Sequence, residues 1–301
     1  MAFPTGTMTA TSLAASIPAV WGERINMFYQ SKLVCAAFFT DRSDELADGG
    51  NILYTPSITE LTASAKTNAT AVALQGPSDP KITLTVDQWF ESSFAIEDAQ
   101  AAQTKRSYSI MERYAKSAGY SIAKKLETAI TSLFPYFSNT VGSSTANLVD
   151  SDIRSAIAIA ESNNVDLDAM AFFLSPNVFW KQVQGIDKFS LAINSPVNDP
   201  TAKRPHGTLY GIPVYISNNI RHVVVSGSAG RYNALAHPDA IHWASSPLGA
   251  GGSEGQMVGS KGIRVQSNYI PDYLSTVTTA DILYGVVENR DEGGVTIVTT
   301  Q

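Results

Sequence analysis

The sequence predicts an α+β protein organised around one unusually long helix. Three observations support this fold class. Apolar residues recur at helical spacing across 97–133, two β-prone stretches flanked by turns lie between 51 and 86, and helical and β-prone segments alternate across 145–301. The 301 residues are enough for one large irregular domain or for two lobes that share a core.

The composition favours a subunit that hides much of its surface against neighbours. Only 16% of the residues are charged, although the hydrophobic fraction of 44% is ordinary. A typical globular protein has about a quarter of its residues charged, and the centres of protein interfaces are depleted in charge. The low charge content therefore indicates an assembly protein.

Charge and targeting patterns argue against several functional classes. The formal net charge is −6 and no run of basic residues occurs, so tight binding to nucleic acid is not expected. The chain shows no secretory signal pattern, and no apolar stretch approaches the ~20 residues that span a bilayer. Cys35, the single cysteine, lies in an apolar run and predicts a buried small hydrophobe folded in a reducing compartment.

The first part of the chain predicts an arm followed by helical pieces. Residues 1–11 are small and polar, which is typical of a flexible arm. Residues 12–39 carry apolar side chains at helical spacing, interrupted by Pro18.

A long hairpin follows the helical pieces. Its predicted parts are the turn at 48–50, the outgoing stretch 52–61, the turn at 76–80 and the return through 82–86. Leu61, Val72 and Leu74 are the large aliphatic residues between 59 and 76. So little apolar surface cannot stabilise an isolated hairpin, which is therefore expected to lie on another surface.

The clearest predicted element is a helix across 97–133. At ~1.5 Å per residue, a helix of this length is about 50 Å long and would act as a strut. Glu97 and Asp98 favour its start and Pro135 favours its end. Its predicted apolar face comprises Tyr108, Met111, Ala115, Ala118, Ile122, Leu126, Ala129 and Leu133.

The rest of the chain predicts an α/β lobe and closing strands. The predicted helices are 150–163 and 176–184, the second with Ser175 as N-cap. The predicted strands are 171–174, 209–217, 231–243, 263–269, 274–287 and 295–298.

No strong catalytic or metal-binding pattern is present. Ser121 and Lys124 match the S-x-x-K spacing of serine acyl-enzymes, but the companion motifs are missing, so a serine hydrolase is only a remote alternative. His237 and His242, with Asp239 between them, would point to opposite faces of a strand, which disfavours a shared metal. The sequence predicts no cofactor, no metal site and no enzymatic activity.

The order of these elements resembles the tailed-phage major capsid proteins of the Hong Kong 97 fold. Residues 81–101 look like an E-loop return strand that runs into a spine helix. Residues 17–21 are similar to the family's arm. Residues 173–176 and 211–219 look like strands of its axial (A) domain. The resemblance covers nearly the whole chain and implies five segments. They are an N-terminal arm (1–45), an extended E-loop hairpin (46–95), a peripheral (P) domain with the spine helix (96–144), an A domain (145–262) and strands that return to the P domain (263–301).

The resemblance implies a major capsid protein that assembles into an icosahedral shell around a phage genome, located in the virion and made in the host bacterial cytoplasm. An encapsulin-type nanocompartment shell remains the alternative. Implied partners are further copies of the chain in pentamers and hexamers, a separate scaffolding protein, a portal protein, a decoration protein in some members, and DNA enclosed without sequence-specific binding, with no membrane. Candidate inter-subunit contacts are Leu61, Lys66, Val72 and Leu74. Some members form Lys–Asn crosslinks from the E-loop, but nothing around Lys66 identifies a partner, so no crosslink is expected.

Overall fold

The long helix and two β-sheets account for most of the regular structure in a computed structural model of the chain. The structure describes residues 30, 33–47, 49–72, 74–103, 107–186, 207–220, 222–225, 228–246, 248, 255–257 and 263–300. The predicted arm at 1–11, the arm-like residues 17–21 and the helical pieces before residue 30 lie outside the described residues. Apart from Gln30, the described residues belong to one compact unit, Ser31–Gln301.

The helices and strands occur in the following order along the chain. The helices are α1 (Cys35–Phe38), α2 (Asp98–Gln103), α3 (Ser107–Thr131) and α4 (Asp150–Ser162). The strands are β1 (Thr40–Asp41), β2 (Ile52–Pro56), β3 (Lys81–Thr85), β4 (Gln88–Glu97), β5 (Asn139–Gly142), β6 (Ala171–Leu174), β7 (Thr208–Leu209), β8 (Ile212–Ile216), β9 (His222–Val225), β10 (Ser228–Ala236), β11 (Ile241–Ser246), β12 (Gly255–Met257), β13 (Arg264–Ile270), β14 (Ser275–Glu288) and β15 (Gly294–Thr299).

The predicted spine helix is present as α2 and α3, with residues 104–106 between them outside the described residues. Its buried side chains recur every four residues at Ala118, Ile122, Leu126 and Ile130, as an apolar stripe requires. The helix ends at Thr131, two residues before the predicted end. Pro135 lies in the 3-10 helix Phe134–Tyr136, where its missing N–H and its steric demands prevent α3 from continuing.

Strand β14 organises the first sheet, which has six strands. One edge of β14 pairs with β4 in antiparallel fashion, from Ser275 opposite Glu97 to Tyr284 opposite Gln88. Its other edge pairs with β13 and then with β11. The apolar stripe of α3 packs with Trp243, Ile282 and Tyr284 of this sheet in one buried cluster, so the helix is held against the sheet by the hydrophobic effect.

The second sheet has seven strands, of which β5 and β15 come from outside the predicted A domain (145–262). Its order is β5-β15-β10-β6-β8-β7, with β9 beside β10. Every residue of β6 is buried, as the sequence predicts, and α4 contributes Ile153, Ala156 and Ala160 to the same core. The predicted helix 176–184 is a π-helix at Val178–Gln182 followed by the 3-10 helix Val183–Gly185, and the Val178 backbone N–H donates to the Ser175 hydroxyl at 3.4 Å.

The last strand, β15, lies in the seven-stranded sheet between β5 and β10, whereas β13 and β14 lie in the six-stranded sheet. The segment 263–301, predicted to return to the P domain, is thus divided between the two sheets. All six residues of β15 are buried, which is typical of a central strand covered on both faces. The boundaries of the five predicted segments stay predictions.

Candidate intersubunit surface

The base of the predicted hairpin is anchored to the six-stranded sheet. Strands β2 and β3 pair in antiparallel fashion from Ile52 opposite Thr85 to Pro56 opposite Lys81. Leu84 and Val86 are buried with Leu46 and Ala244 in a small core of their own. The backbone carbonyl of Thr85 also approaches Gly285 so closely that a Cβ there would clash with it. These contacts fix the direction in which the hairpin leaves the body of the subunit.

Beyond the base, the described residues of the hairpin form no β-strand, although the Ser57 N–H still donates to Pro80 O at 2.8 Å. We define the outer hairpin as residues 57–80, all of which are exposed where the structure describes them. Side chains replace the backbone ladder here: the Thr59 hydroxyl donates to Ser78 O at 2.6 Å, and the Thr62 N–H donates to Gln75 Oε1 at 3.0 Å. The outer hairpin is therefore held together by its own polar contacts while packing against nothing else in the described part of the subunit.

The apolar contact candidates all lie on the outer hairpin and all face solvent. Leu61 is 62% exposed, Val72 70% and Leu74 93%. Ile58, which is 86% exposed, belongs with them although the sequence analysis did not name it. The sequence could have indicated Ile58, because it is a large aliphatic residue among Ser and Thr in the outgoing stretch of the predicted hairpin.

Lys66 lies near the tip of the outer hairpin and bonds only to neutral oxygens. Its ammonium donates to Thr67 O at 2.8 Å, to the Thr70 hydroxyl at 3.2 Å and to Thr70 O. Among the described residues, no carboxylate pairs with it. The tip therefore carries a positive charge that no carboxylate in the described part of the chain neutralises.

The structure resembles several solved phage structures over nearly its whole length, whereas neither a protein-family model nor a curated protein matches the sequence. A capsid structure of the cyanophage P-SCSP1u matches with a TM-score of 0.75 and 12% identity, covering 99% of this chain and 97% of that one. The mature capsid of bacteriophage PhiM1 matches with a TM-score of 0.71 and 14% identity, covering 95% and 92%. A chain from Mycobacterium phage Che8 matches with a TM-score of 0.71 and 18% identity, covering 93% and 96%.

The chain has a Hong Kong 97-like capsid fold. This confirms the fold class predicted from the order of the elements. Strands β2 and β3 lie within the predicted E-loop hairpin and α3 within the predicted spine helix, and these two assignments stay predictions.

No hydrogen bond joins Ser121 to Lys124, the serine and lysine of the S-x-x-K pattern, in the described structure of α3. The Ser121 hydroxyl donates to the Ala118 backbone carbonyl at 2.7 Å, and neither Ser121 nor Lys124 is buried. A hydroxyl that bonds its own helix backbone is a common feature of helical serines and gives no activation.

His237 and His242 are also placed for structural contacts. His237 accepts a hydrogen bond at Nδ1 from the Asp239 N–H at 3.2 Å, which caps the 3-10 helix Pro238–Ala240. His242 is buried in β11, and burial together with the nearby Arg42 guanidinium lowers its pKa. In the part of the chain that the structure describes, no three metal-ligating side chains come together. No helix among the described residues is both long and apolar enough to cross a membrane.

Proposed function

We propose that this protein is the major capsid protein of a tailed bacteriophage and assembles with copies of itself into a closed icosahedral shell. The observation that carries the proposal is the outer hairpin, because it exposes Ile58, Leu61, Val72 and Leu74 on a segment that packs on nothing in the described subunit. The capsid-like fold supports the same conclusion, since the similar structures of P-SCSP1u and PhiM1 are capsids.

Burial of the outer hairpin by a neighbour would stabilise the shell. Fully burying one Val, Leu or Ile side chain contributes about 1.5–3 kcal/mol, and the outer hairpin exposes four such side chains. Main-chain pairing along the hairpin adds to this contribution. Head-to-tail contacts of this kind close into rings, which fits pentamers and hexamers.

The proposed role is structural and not enzymatic. The Ser121 contact described above supports this role, as does the likeness to capsid structures.

The proposed partners are further copies of the chain, a separate scaffolding protein, a portal protein and, in some cases, a decoration protein. The proposed location is the virion, after assembly in the host bacterial cytoplasm. The net charge of −6 is compatible with a shell that encloses DNA and does not favour a surface that binds DNA tightly.

Electron microscopy of the chain expressed with its scaffolding protein tests the proposal. The expected result is closed shells, or pentamers and hexamers in light scattering. A compact monomer under all conditions would overturn it. Particles that contain a cargo enzyme in place of DNA would instead indicate a nanocompartment, and labelling of Ser121 by a fluorophosphonate probe would indicate a hydrolase.

A further inference from the structure

Strand β4 is an edge strand of the six-stranded sheet. It pairs with β14 along its full length, from Glu97 opposite Ser275 to Gln88 opposite Tyr284. Within the described ranges, no other strand pairs with β4. Successive residues of a strand direct their N–H and C=O groups to alternate sides, so about half of the backbone polar groups of β4 point away from β14. We define this side of β4 as the free edge. Such an edge is a template for another strand.

The free edge lacks most of the features that block strand addition. Strand β4 has ten residues, whereas strands of globular proteins usually have about five or six. Its pairing register is uninterrupted, so no bulge twists the edge away. It contains no proline and no lysine. Its charged residues are Glu91 and Glu97, and these select a partner by charge.

An exposed tryptophan lies beside the free edge. Trp89 is 65% exposed, and its indole N–H donates to Asp281 Oδ2 at 3.1 Å. Arg264 Nε in turn donates to Asp281 Oδ1 at 2.9 Å. The indole is therefore held in one orientation before any partner binds, which lowers the entropic cost of binding. Glu91 is exposed on the same face, because alternate residues of a strand point to the same side. A cation at this place gains both a carboxylate and an aromatic ring.

The opposite face of β4 is apolar and lies against α3. The ring of Phe94 lies 5.6 Å from that of Tyr114, whose side chain is 57% exposed. Further along β4, the Lys125 ammonium lies 4.5 Å from the centre of the Phe90 ring. Phe90 and Phe94 are only partly buried. The apolar side chains of an added strand would cover these rings, which the hydrophobic effect favours.

The charge beside the free edge determines which occupant fits. Two copies of β4 side by side would bring Glu91 and Glu97 of both chains into one interface, with Asp87 and Asp98 close to its ends. Like charges across an interface are strongly unfavourable. The net charge of −6 on each copy adds to this repulsion. The occupant that fits is therefore a basic segment of a different protein.

We propose that the free edge binds an extended segment of a second protein as an added β-strand, and that this segment alternates basic and apolar residues. Its basic side chains lie beside Trp89 and Glu91, and its apolar side chains cover Phe94 and Tyr114. Main-chain hydrogen bonds supply affinity in this mode of recognition, and the alternating side chains supply specificity. The proposal goes beyond shell formation, because it adds a binding surface separate from the outer hairpin.

A basic model strand tests this binding. The probe is a fluorescent nonapeptide of alternating lysine and valine, and fluorescence anisotropy with the full chain measures its affinity. We expect saturable binding that weakens at least about tenfold in the double variant Glu91→Lys with Glu97→Lys, because both carboxylates are replaced by cations. The matched control, Glu161→Lys with Asp168→Lys, changes exposed acids elsewhere and should bind like the wild type. No binding to the wild type, or equal affinities in the two double variants, would overturn the proposal.

Methylated amides distinguish an added strand from a contact through charge alone. Two further probes carry N-methyl groups on a pair of valines or on a pair of lysines. In one strand orientation, only the valines or only the lysines donate N–H groups to β4, because alternate amides point to opposite sides. One probe should therefore lose binding while the other keeps it. Equal affinities of the two probes would reject strand addition.

Hydrogen–deuterium exchange locates the bound probe. Exchange of the amides in 88–97 should slow when the probe binds, and protection found only elsewhere would contradict the proposed site. Tighter binding by a synthetic peptide of residues 1–29 would assign the free edge to the chain's own first segment. Disulfide-linked dimers of Ser93→Cys after oxidation would assign it to a second copy. Either result would overturn the proposal and leave the shell function intact, whereas a wild-type chain that forms no shells would reject the shell function alone.

Discussion

The buried carboxylate of Glu127 accepts hydrogen bonds from the Cys35 backbone N–H through both of its oxygens, at 3.1 and 2.9 Å. The N–H groups of Val34 and Ala36 bond the same carboxylate at 2.9 and 3.2 Å. Glu127 has no exposed surface and lies near the C-terminal end of α3. Burial and the neighbouring Glu127 raise the pKa of the Cys35 thiol, so Cys35 is a structural residue, as its apolar context predicts. The carboxylate thus fixes residues 34–36 to the spine helix.

Removal of this carboxylate should destabilise the subunit strongly. Glu127→Ala leaves the N–H groups of Val34, Cys35 and Ala36 without their acceptor, the first two of them buried, and we expect a loss of about 3 kcal/mol or more in the free energy of unfolding. Glu127→Gln should cost less, because one acceptor oxygen remains. Urea unfolding provides the measurement, and Glu161→Ala, an exposed acid on α4, is the control. A Glu127→Ala protein as stable as the control would show that the contact contributes little.

The carboxyl pair formed by Glu288 and Asp291 should make stability depend on pH. Burial, and then the hydrogen bond and charge of Asp291, raise the pKa of Glu288 from 4.5 to about 7. A carboxyl group whose pKa is raised on folding stabilises the protein below its unfolded pKa, and this contribution is lost as pH rises through the folded pKa. The stability of the wild type should therefore fall between pH 5 and pH 8 relative to that of Glu288→Gln.

Melting temperatures of both proteins at pH 5, 6, 7 and 8 check this prediction. The pKa of Asp291 is lowered from 3.8, so its own titration lies outside this window. Burial lowers the pKa of His242, which acts in the opposite direction at low pH, but it does so equally in both proteins. Parallel pH profiles for the wild type and the variant would contradict the prediction.

A proline in the middle of α3 should destabilise the folded subunit itself and should not merely prevent its assembly. Ala118 is buried on the apolar stripe, and Ala118→Pro removes a helix hydrogen bond and introduces a clash that together cost about 3 kcal/mol or more. Ala118→Gly, which keeps the N–H, should cost only about 1 kcal/mol and serves as the control. An Ala118→Pro protein with an unchanged melting temperature and normal shells would contradict the role of this helix.

The sequence predicted features that depend on local patterns and missed those that depend on distant partners. The stripe at Ala118, Ile122 and Leu126 follows from helical periodicity alone, because one face of an amphipathic helix must be buried. The partner of Glu127 lies 92 residues away, so nothing near Glu127 in the chain reveals it.

Strand pairing and solvent exposure likewise could not be predicted from local sequence patterns. The β15 segment was predicted to be a strand. Its place between β5 and β10 depends on pairing with strands that are distant in the sequence, so a local pattern does not reveal it. The exposure of Tyr273 and Leu274 depends on the turn that joins β13 to β14 and on its contact with Asp98. Leu61, Val72 and Leu74 of the outer hairpin were found because large aliphatic residues are scarce in this part of the sequence, whereas Ile58 was missed.

Removal of the outer hairpin should separate folding from assembly. Its apolar side chains are exposed, so replacing 57–79 with a short Gly-Ser turn removes little buried area, and at ~25 cal/mol per Å² the subunit's stability should barely change. We expect a soluble protein with unchanged circular dichroism and melting temperature that forms no stable shells. If the truncated chain were unfolded, the hairpin would belong to the subunit core. If the truncated chain assembled normally, the hairpin would be dispensable for shell formation.

Electron microscopy of the intact chain beside this truncated form provides the decisive comparison. We expect closed shells from the intact chain expressed with its scaffolding protein, and only folded, unassembled subunits from the truncated form under the same conditions. A full-length chain that remains a compact monomer under every condition, or a truncated form that builds the same shells, would contradict it.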